Sequence, residues 1–385
     1  MERSEERFPM LFTRLDRLVL FEWLKAFAMT LAVIVGLFVV GDVQNHLDEL
    51  LAFGASTGEI LRYYLIVTPT FLPGVLPLTV LISVLIAFSS LHRRLELVAM
   101  RNAGLSLGRI SLYCWVSGVL LAGGLFWLNG QFVPWSTETS RQLWDQYRFA
   151  GELDETGSRE EVGVVPNLTF NNVEADRRWF INRFSEYDYH GYGITISFLD
   201  EGRNETRRLV ANRGYYDDLA GHWVLLEGRE VTFDPRAGDM VRNLGFERRE
   251  LPDLTEDPTL MQYLKRRPQD LSFWQLQRVI EVLERAEDPA ARKYAMRYYR
   301  TLVTPIDVLI ALALGVHFAV GPIRANPLVG VAQAIGAFLL YFAVVQATGM
   351  LVSEAVPAFW AALAPSLLML VASLWLFRRT SKPVR

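Results

Sequence analysis

Residues 63–91 read YYLIVTPTFLPGVLPLTVLISVLIAFSSL. The stretch holds no Asp, Glu, Lys or Arg. It is longer than the roughly 20 apolar residues a helix needs to cross the hydrocarbon core of a bilayer. A water-soluble globule has no place for such a segment. Working outward, residues 110–133, 327–353 and 355–377 are uncharged in the same way. Two further apolar segments, 18–41 and 302–323, contain a few ionisable residues near their ends. The sequence therefore predicts six spans, at about 18–41, 61–90, 107–133, 302–323, 327–353 and 355–377. The first span follows about 17 residues rich in Arg and Glu, which is not the pattern of a cleaved leader.

The charged residues are sorted by side. Arg3, Arg7, Arg14 and Arg17 precede span one, and Arg93, Arg94, Arg101 and Arg109 lie between spans two and three. Arg324 lies between spans four and five, and Arg378, Arg379, Lys382 and Arg385 close the chain. The opposite loops are acidic: 42–60 carries Asp42, Asp48, Glu49 and Glu59, and the last turn carries Glu354. Lys and Arg accumulate on the cytoplasmic side of membrane proteins. Both termini are expected in the cytoplasm, and the polar stretch 134–300 outside it.

That polar stretch alternates in hydrophobicity at 178–184, 193–199, 223–226 and 230–233, with Gly, Asn and Asp between, as strands and turns do. Ser272 with Gln275 forms a capping box ahead of a helix running to Ala286, and Pro289 precedes a helix that enters span four. The predicted fold is a polytopic α-helical membrane protein with six transmembrane helices and an inserted periplasmic β-domain, sandwich or jelly-roll-like. Residues 1–133 hold spans one to three with a cytoplasmic helix at about 92–104, and 134–257 the β-domain. Residues 258–300 are a helical return, and 301–385 spans four to six with a tail.

Chemistry is largely excluded. The single cysteine, Cys114, permits no intrachain disulfide, and the five histidines lack metal-ligand spacing. There is no phosphate-binding loop and no Gly-x-Ser-x-Gly elbow, so the chain is not expected to be an enzyme or to hydrolyse ATP alone. With 51% hydrophobic residues, 12% aromatic and a net charge of −3, disorder is excluded and nothing suggests nucleic-acid binding. Glu22, Lys25 and Asp307 lie close enough to span ends to read as interfacial anchors, with a proton or ion relay as the alternative. Pro69, Pro73 and Pro77 share one face of span two, which reads either as a kinked packed helix or as the bent wall of a cavity. The segment 92–105, HRRLELVAMRNAGL, predicts a short helix ending at Gly104. Its apolar stripe would be Leu91, Leu95 and Val98, with Glu96 and Met100 pointing elsewhere. It reads either as a basic membrane-surface loop or as a docking peg for an ATPase.

Several segments together resemble the lipopolysaccharide-export permease family (LptF/LptG). They are LDRLVLFEWLKAF at the start, LELVAMRNAGLS after span two and FVPWSTETSRQLWDQYR after span three. LSFWQLQRVIEVLERAEDPAARKYAMRYYRTLVTPID, GPIRANP and PSLLMLVASLWLFRR follow in order. The last two lie closer to the LptG side. The resemblance implies a non-hydrolytic permease half of an ATP-driven exporter in the bacterial inner membrane. It would pair with a paralogous half on a cytoplasmic ABC ATPase dimer, which supplies the ATP and Mg sites; this chain needs no cofactor of its own. Lipopolysaccharide would enter laterally at spans one and five and pass to periplasmic bridge proteins. Arg93, Arg94, Glu96, Leu97, Met100 and Arg101 are then the expected ATPase-docking residues, with Glu96 entering the ATPase groove. Arg141 and Arg148 are the expected lipid contacts. Where LptG-type members can carry basic residues at the outer end of span one, this chain has Asp42, Asp48 and Glu49. Alternatives are a permease of another lipid or lipoprotein exporter, or a membrane-anchored periplasmic scaffold.

Overall fold

The computed structural model describes residues 13–52, 54–157, 161–234, 238–320, 327–352 and 356–381. Arg3, Arg7, residues 321–326 with Arg324, Glu354, Lys382 and Arg385 lie outside the described residues. The helices are α1 (Arg14–Ala52), α2 (Thr57–Arg93), α3 (Glu96–Asn102), α4 (Leu107–Ile110) and α5 (Leu112–Trp127). A π-helical turn, Leu128–Phe132, continues α5 into α6 (Val133–Thr156). Six strands follow: β1 (Val164–Asn172), β2 (Arg177–Ser185), β3 (His190–Leu199), β4 (Glu205–Asp217), β5 (His222–Phe233) and β6 (Met240–Leu251). Helices α7 (Pro258–Lys265), α8 (Phe273–Arg285), α9 (Ala291–Ala319), α10 (Pro327–Met350) and α11 (Ala358–Ser381) complete the chain.

The chain divides into two compact units, one from 1–42, 68–133 and 299–385, the other from 43–67 and 134–298. The second unit thus takes the α1–α2 turn as well as the polar insert. Helix length explains the difference from the expected boundary. A helix of 39 residues is about 58 Å long at 1.5 Å per residue, well beyond a hydrocarbon core of about 30 Å. Within this unit His46 and Tyr63, from the ends of α1 and α2, set their rings 5.2 and 6.2 Å from that of Trp144.

In the membrane unit, α1, α2, α5 with α6, α9, α10 and α11 are long and apolar enough to cross a bilayer, matching the six runs. Helices α2 and α9 are central: 61% and 67% of their most apolar windows are buried, against 11% for α1. Their close approach depends on Gly315. A Cβ there would lie 2.9 Å from Val84 Cγ1, so α9 presses its backbone against α2, as small residues allow between membrane helices. Trp23 from α1 is fully buried and donates its indole N–H to Ser83 Oγ at 3.1 Å.

The second unit is built on one antiparallel sheet in the order β1-β2-β3-β4-β5-β6. The jelly-roll-like expectation becomes specific here: each strand pairs with its chain neighbours, because the links are hairpins too short to cross over. The stretches 223–226 and 230–233 are parts of the single strand β5. Leu168, Trp179, Ile181, Ile194, Ile196, Leu209, Trp223 and Leu225 make the core, with Leu254 and Met261. The rings of Trp179 and Trp223 are 5.0 Å apart. Gly228 faces Gly245's neighbour Phe246 across the β5–β6 ladder. A Cβ at Gly228 would collide with the Phe246 ring. The capping box of Ser272 and Gln275 is present at the start of α8. That helix buries Leu276, Val279 and Leu283 against Ala291 and Tyr294 of α9.

Glu230 of β5 binds Arg249 and lies 3.5 Å from Arg207. The Arg249 hydrogen bond holds its carboxyl below the usual carboxylate range. A depressed folded-state value contributes stability above the ordinary carboxylate pKa, and this is lost as pH falls through the folded value. The Glu230→Gln variant should therefore unfold at a lower temperature than wild type at neutral pH and lose less on acidification. Thermal midpoints measured across the acid range check this; curves that run parallel would contradict it.

Candidate functional site

The segment between α2 and α5 carries most of the expected docking residues. It is not one helix over 92–104. Leu95 adopts φ 60, ending α2 at Arg93 and restarting the chain as α3 at Glu96. A left-handed conformation costs a non-glycine residue roughly 1–2 kcal/mol. Here it permits Leu91 and Leu97 both to reach the core, at 1% and 0% exposure, while Leu95 is left 56% exposed. The expected stripe of Leu91, Leu95 and Val98 is corrected accordingly, since the turn shifts the helical phase. Met100 is buried too. Leu97 and Met100 thus pack α3 onto the bundle core.

Polar contacts fasten the same segment to its neighbours. Arg109, just beyond it, grips Asp16 at the start of α1, with Nη2 donating to Oδ2 at 2.9 Å. Arg94 lies 3.5 Å from Glu22 of α1, which gives that expected anchor a partner on the turn. The Gly108 N–H donates to Ser381 Oγ at 2.7 Å, and Arg101 donates to the Thr380 carbonyl at 3.4 Å. What faces outward is Arg93, Arg94, Leu95, Ala99, Asn102 and Ala103. Glu96 is half-buried, and its Oε2 is shielded without a hydrogen-bond partner. Among the described residues no ion pair joins it to Arg93. A carboxylate oxygen held in this way is costly until a donor reaches it.

The expected lipid contacts sit in the second unit. Arg141 and Arg148 both lie on α6. Arg141 lines a cleft of about 270 Å³ with Glu138, Asp145, Glu186, Tyr263 and Arg266. It donates to the Asp270 carbonyl and lies 3.9 Å from Glu138. Arg148 lies within 3.5–3.7 Å of Asp145, Glu152 and Glu186, and Arg266 is 3.0 Å from Glu186. Each arginine is thus engaged by groups of its own unit. Carboxylates match or outnumber guanidiniums around the cleft, which is poor ground for a phosphate.

One polar cluster escaped the sequence reading. Asp307, expected at an interface, is 4% exposed. It pairs with Arg300 of its own helix and accepts from the Tyr341 hydroxyl of α10. Tyr341 Oη lies 2.7 Å from Ser366 Oγ of α11, which Arg300 also reaches at 3.1 Å. A charge inside a membrane bundle persists only when paired, so these four side chains tie α9, α10 and α11 at one level. Arg300 and Asp307 are two helical turns apart, a spacing that puts them on one face, and this was the available signal.

Residues 17–379 match the family described as "Lipopolysaccharide export system permease LptF/LptG". The chain belongs to the LptF/LptG family. It is 23% identical over 370 residues to the lipopolysaccharide export system permease protein LptG of Haemophilus influenzae, covering 95% of this chain and 98% of that protein. It is also 23% identical over 361 residues to LptG of Escherichia coli K12, covering 92% and 94%. These relatives make the chain LptG-like, and with six apolar helices the family places it in the inner membrane as a multi-pass transport component. The match spans residues of both compact units.

The engagement of Arg148 has a measurable consequence. Arg148→Ala should leave three carboxylates without their shared cation and lower the stability of the second unit by about 1 kcal/mol, the upper range for partly exposed pairs. Thermal unfolding of the purified protein at low and high salt checks it, the deficit shrinking as salt rises. Unchanged stability with lost capture of lipopolysaccharide would instead make Arg148 a phosphate ligand.

Proposed function

We propose that this chain is the LptG-like half of an ATP-driven lipopolysaccharide exporter. It would work beside a paralogous permease half on a cytoplasmic ABC ATPase dimer that binds ATP and Mg. The observation that carries this reading is the match to the LptF/LptG family from residue 17 to 379. In this reading both termini and α3 face the cytoplasm, consistent with the arginines around α3 and the acidic loop at 42–60. The second unit lies in the periplasm and passes lipid towards bridge proteins. The exposed apolar side chains of α1, among them Phe21, Met29, Val33 and Leu37, offer a surface for acyl chains. Phosphate groups would be met by the partner half, or by Arg141 if its internal contacts yield, because the outer end of span one is acidic.

The docking surface is narrower than the sequence implied. Arg93, Arg94, Glu96 and Arg101 remain its polar members, with Ala99 and Asn102 beside them. Glu96 supplies the specific contact: a donor from the ATPase would satisfy the shielded Oε2. Removing one partner of such a buried charged contact costs about 2–5 kcal/mol, on the order of thirtyfold in affinity or more. Glu96→Ala should weaken ATPase retention to that extent, and Glu96→Arg should weaken it further. Co-purification of the ATPase from mild detergent, with its lipid-stimulated hydrolysis, is the measurement. Full retention and stimulation by Glu96→Arg would remove Glu96 from the interface.

A further inference from the structure

Span four carries Pro305 inside α9, and a proline at such a position kinks a helix. Proline has no N–H, so it cannot donate to the carbonyl four residues earlier, that of Thr301. In a membrane a carbonyl left in this way needs another donor. The donor comes from span three: Asn129 Nδ2 reaches the Thr301 carbonyl at 3.0 Å. Asn129 belongs to the π-helical turn Leu128–Phe132. Such a turn inserts one residue into a helix and re-aims the side chains beyond it, and it recurs at functional sites. Asn129 is 5% exposed, and its Oδ1 is buried without a partner. The amide therefore spends half its hydrogen-bonding capacity in order to serve one carbonyl of another span.

Position adds a second observation. The chain leaves the membrane unit for the polar insert after Val133 and returns from that insert at Tyr299. Asn129 and Thr301 stand just inside those two points. The next carbonyl back, that of Arg300, accepts from Thr304 Oγ at 2.8 Å, while the Arg300 guanidinium is held by Asp307 and Ser366. The loosened backbone of the kink is thus tied to span three through its carbonyl and to spans five and six through its charge.

We propose that Asn129 is a positioning residue of the transport cycle. Its amide holds the Pro305 kink in the bent form and keeps the roots of both chain crossings in register, so that a shift of span three is passed to span four. The kink serves movement, and the hydrogen bond serves the kink. The transport part of this proposal rests on the permease reading; the clamp itself does not.

The test uses the full chain assembled with its partner subunits in lipid nanodiscs, as wild type, Asn129→Ala, Pro305→Ala and the double variant. Three quantities are measured: the thermal midpoint, hydrogen exchange of the amides that follow residue 305, and stimulation of ATP hydrolysis by added lipopolysaccharide. Asn129→Ala should lower the midpoint, speed the exchange and reduce stimulation by roughly threefold, the worth of an interhelical hydrogen bond in a membrane. Adding Pro305→Ala should restore midpoint and exchange, because the new N–H pairs with the Thr301 carbonyl. Stimulation should stay low, because the helix is now straight. A double variant that regains stimulation as well would reduce Asn129 to a filler of hydrogen-bonding capacity and overturn the proposal, as would an Asn129→Ala variant unchanged in all three. If the wild-type assembly shows no stimulation by lipopolysaccharide, the permease reading fails. Exchange then still decides the clamp: acceleration reversed by Pro305→Ala supports it, and unchanged exchange refutes it.

Discussion

The membrane unit depends on the pairing of Arg300 with Asp307. Both charges lie on the helix that is also the most buried of the six spans. Breaking such a pair by removing one partner leaves an uncompensated charge, at a cost of about 3–5 kcal/mol. The pair is closed from outside by Tyr341 and Ser366, so α10 and α11 are positioned by the same demand that keeps the charge in place. Around it, backbone obeys the same rule. Pro305 releases a carbonyl, and Asn129 answers it. Helices that share a solvent of hydrocarbon gain little from apolar contact with one another; polar ties of this kind, with the glycine contact of Gly315 on Val84, give the bundle a specific arrangement.

The docking segment follows a related logic on the side of α3. Leu91, Leu97, Met100 and Leu107 are buried, while Asp16, Glu22, Thr380 and Ser381 hold the polar frame. In the proposed assembly, a segment fixed at so many points would pass force from a docked ATPase to α1 and α11. The strained Leu95 at its start is the residue that makes the sharp turn possible. In the second unit, the acid–base cluster on α6 joins the helix to the sheet and return helices of that unit through Glu186 and Asp270.

The spans were legible because hydrophobic length is a one-dimensional signal. Strands β2, β3 and β5 were legible from alternation. Strand β6 was not, because most of MVRNLGFERREL is exposed and the arginines and glutamates of an exposed ladder dilute the period. Glu96 is singled out by the family resemblance and not by any local pattern. The exposure of Leu95 and the burial of Leu97 and Met100 were not legible, because a residue with positive φ breaks the helix there and shifts its phase. Asp307 was misplaced since distance from a span end, counted along the sequence, does not tell which way the side chain turns. No local pattern announces that Asn129 serves a carbonyl freed by Pro305: the partners lie on different helices, and only the fold brings them together.

The central claim is that the exposed face of α1 handles lipopolysaccharide within an ATP-driven assembly. A photo-crosslinking residue at Leu37, which is 66% exposed, tests this most directly in the assembled complex in lipopolysaccharide-containing membranes. Leu219, fully exposed between β4 and β5, serves as the control. The account predicts a lipopolysaccharide adduct at Leu37 that declines when ATP is supplied, and none at Leu219. Capture of phospholipid alone at Leu37, or a lipopolysaccharide adduct indifferent to ATP, would contradict it.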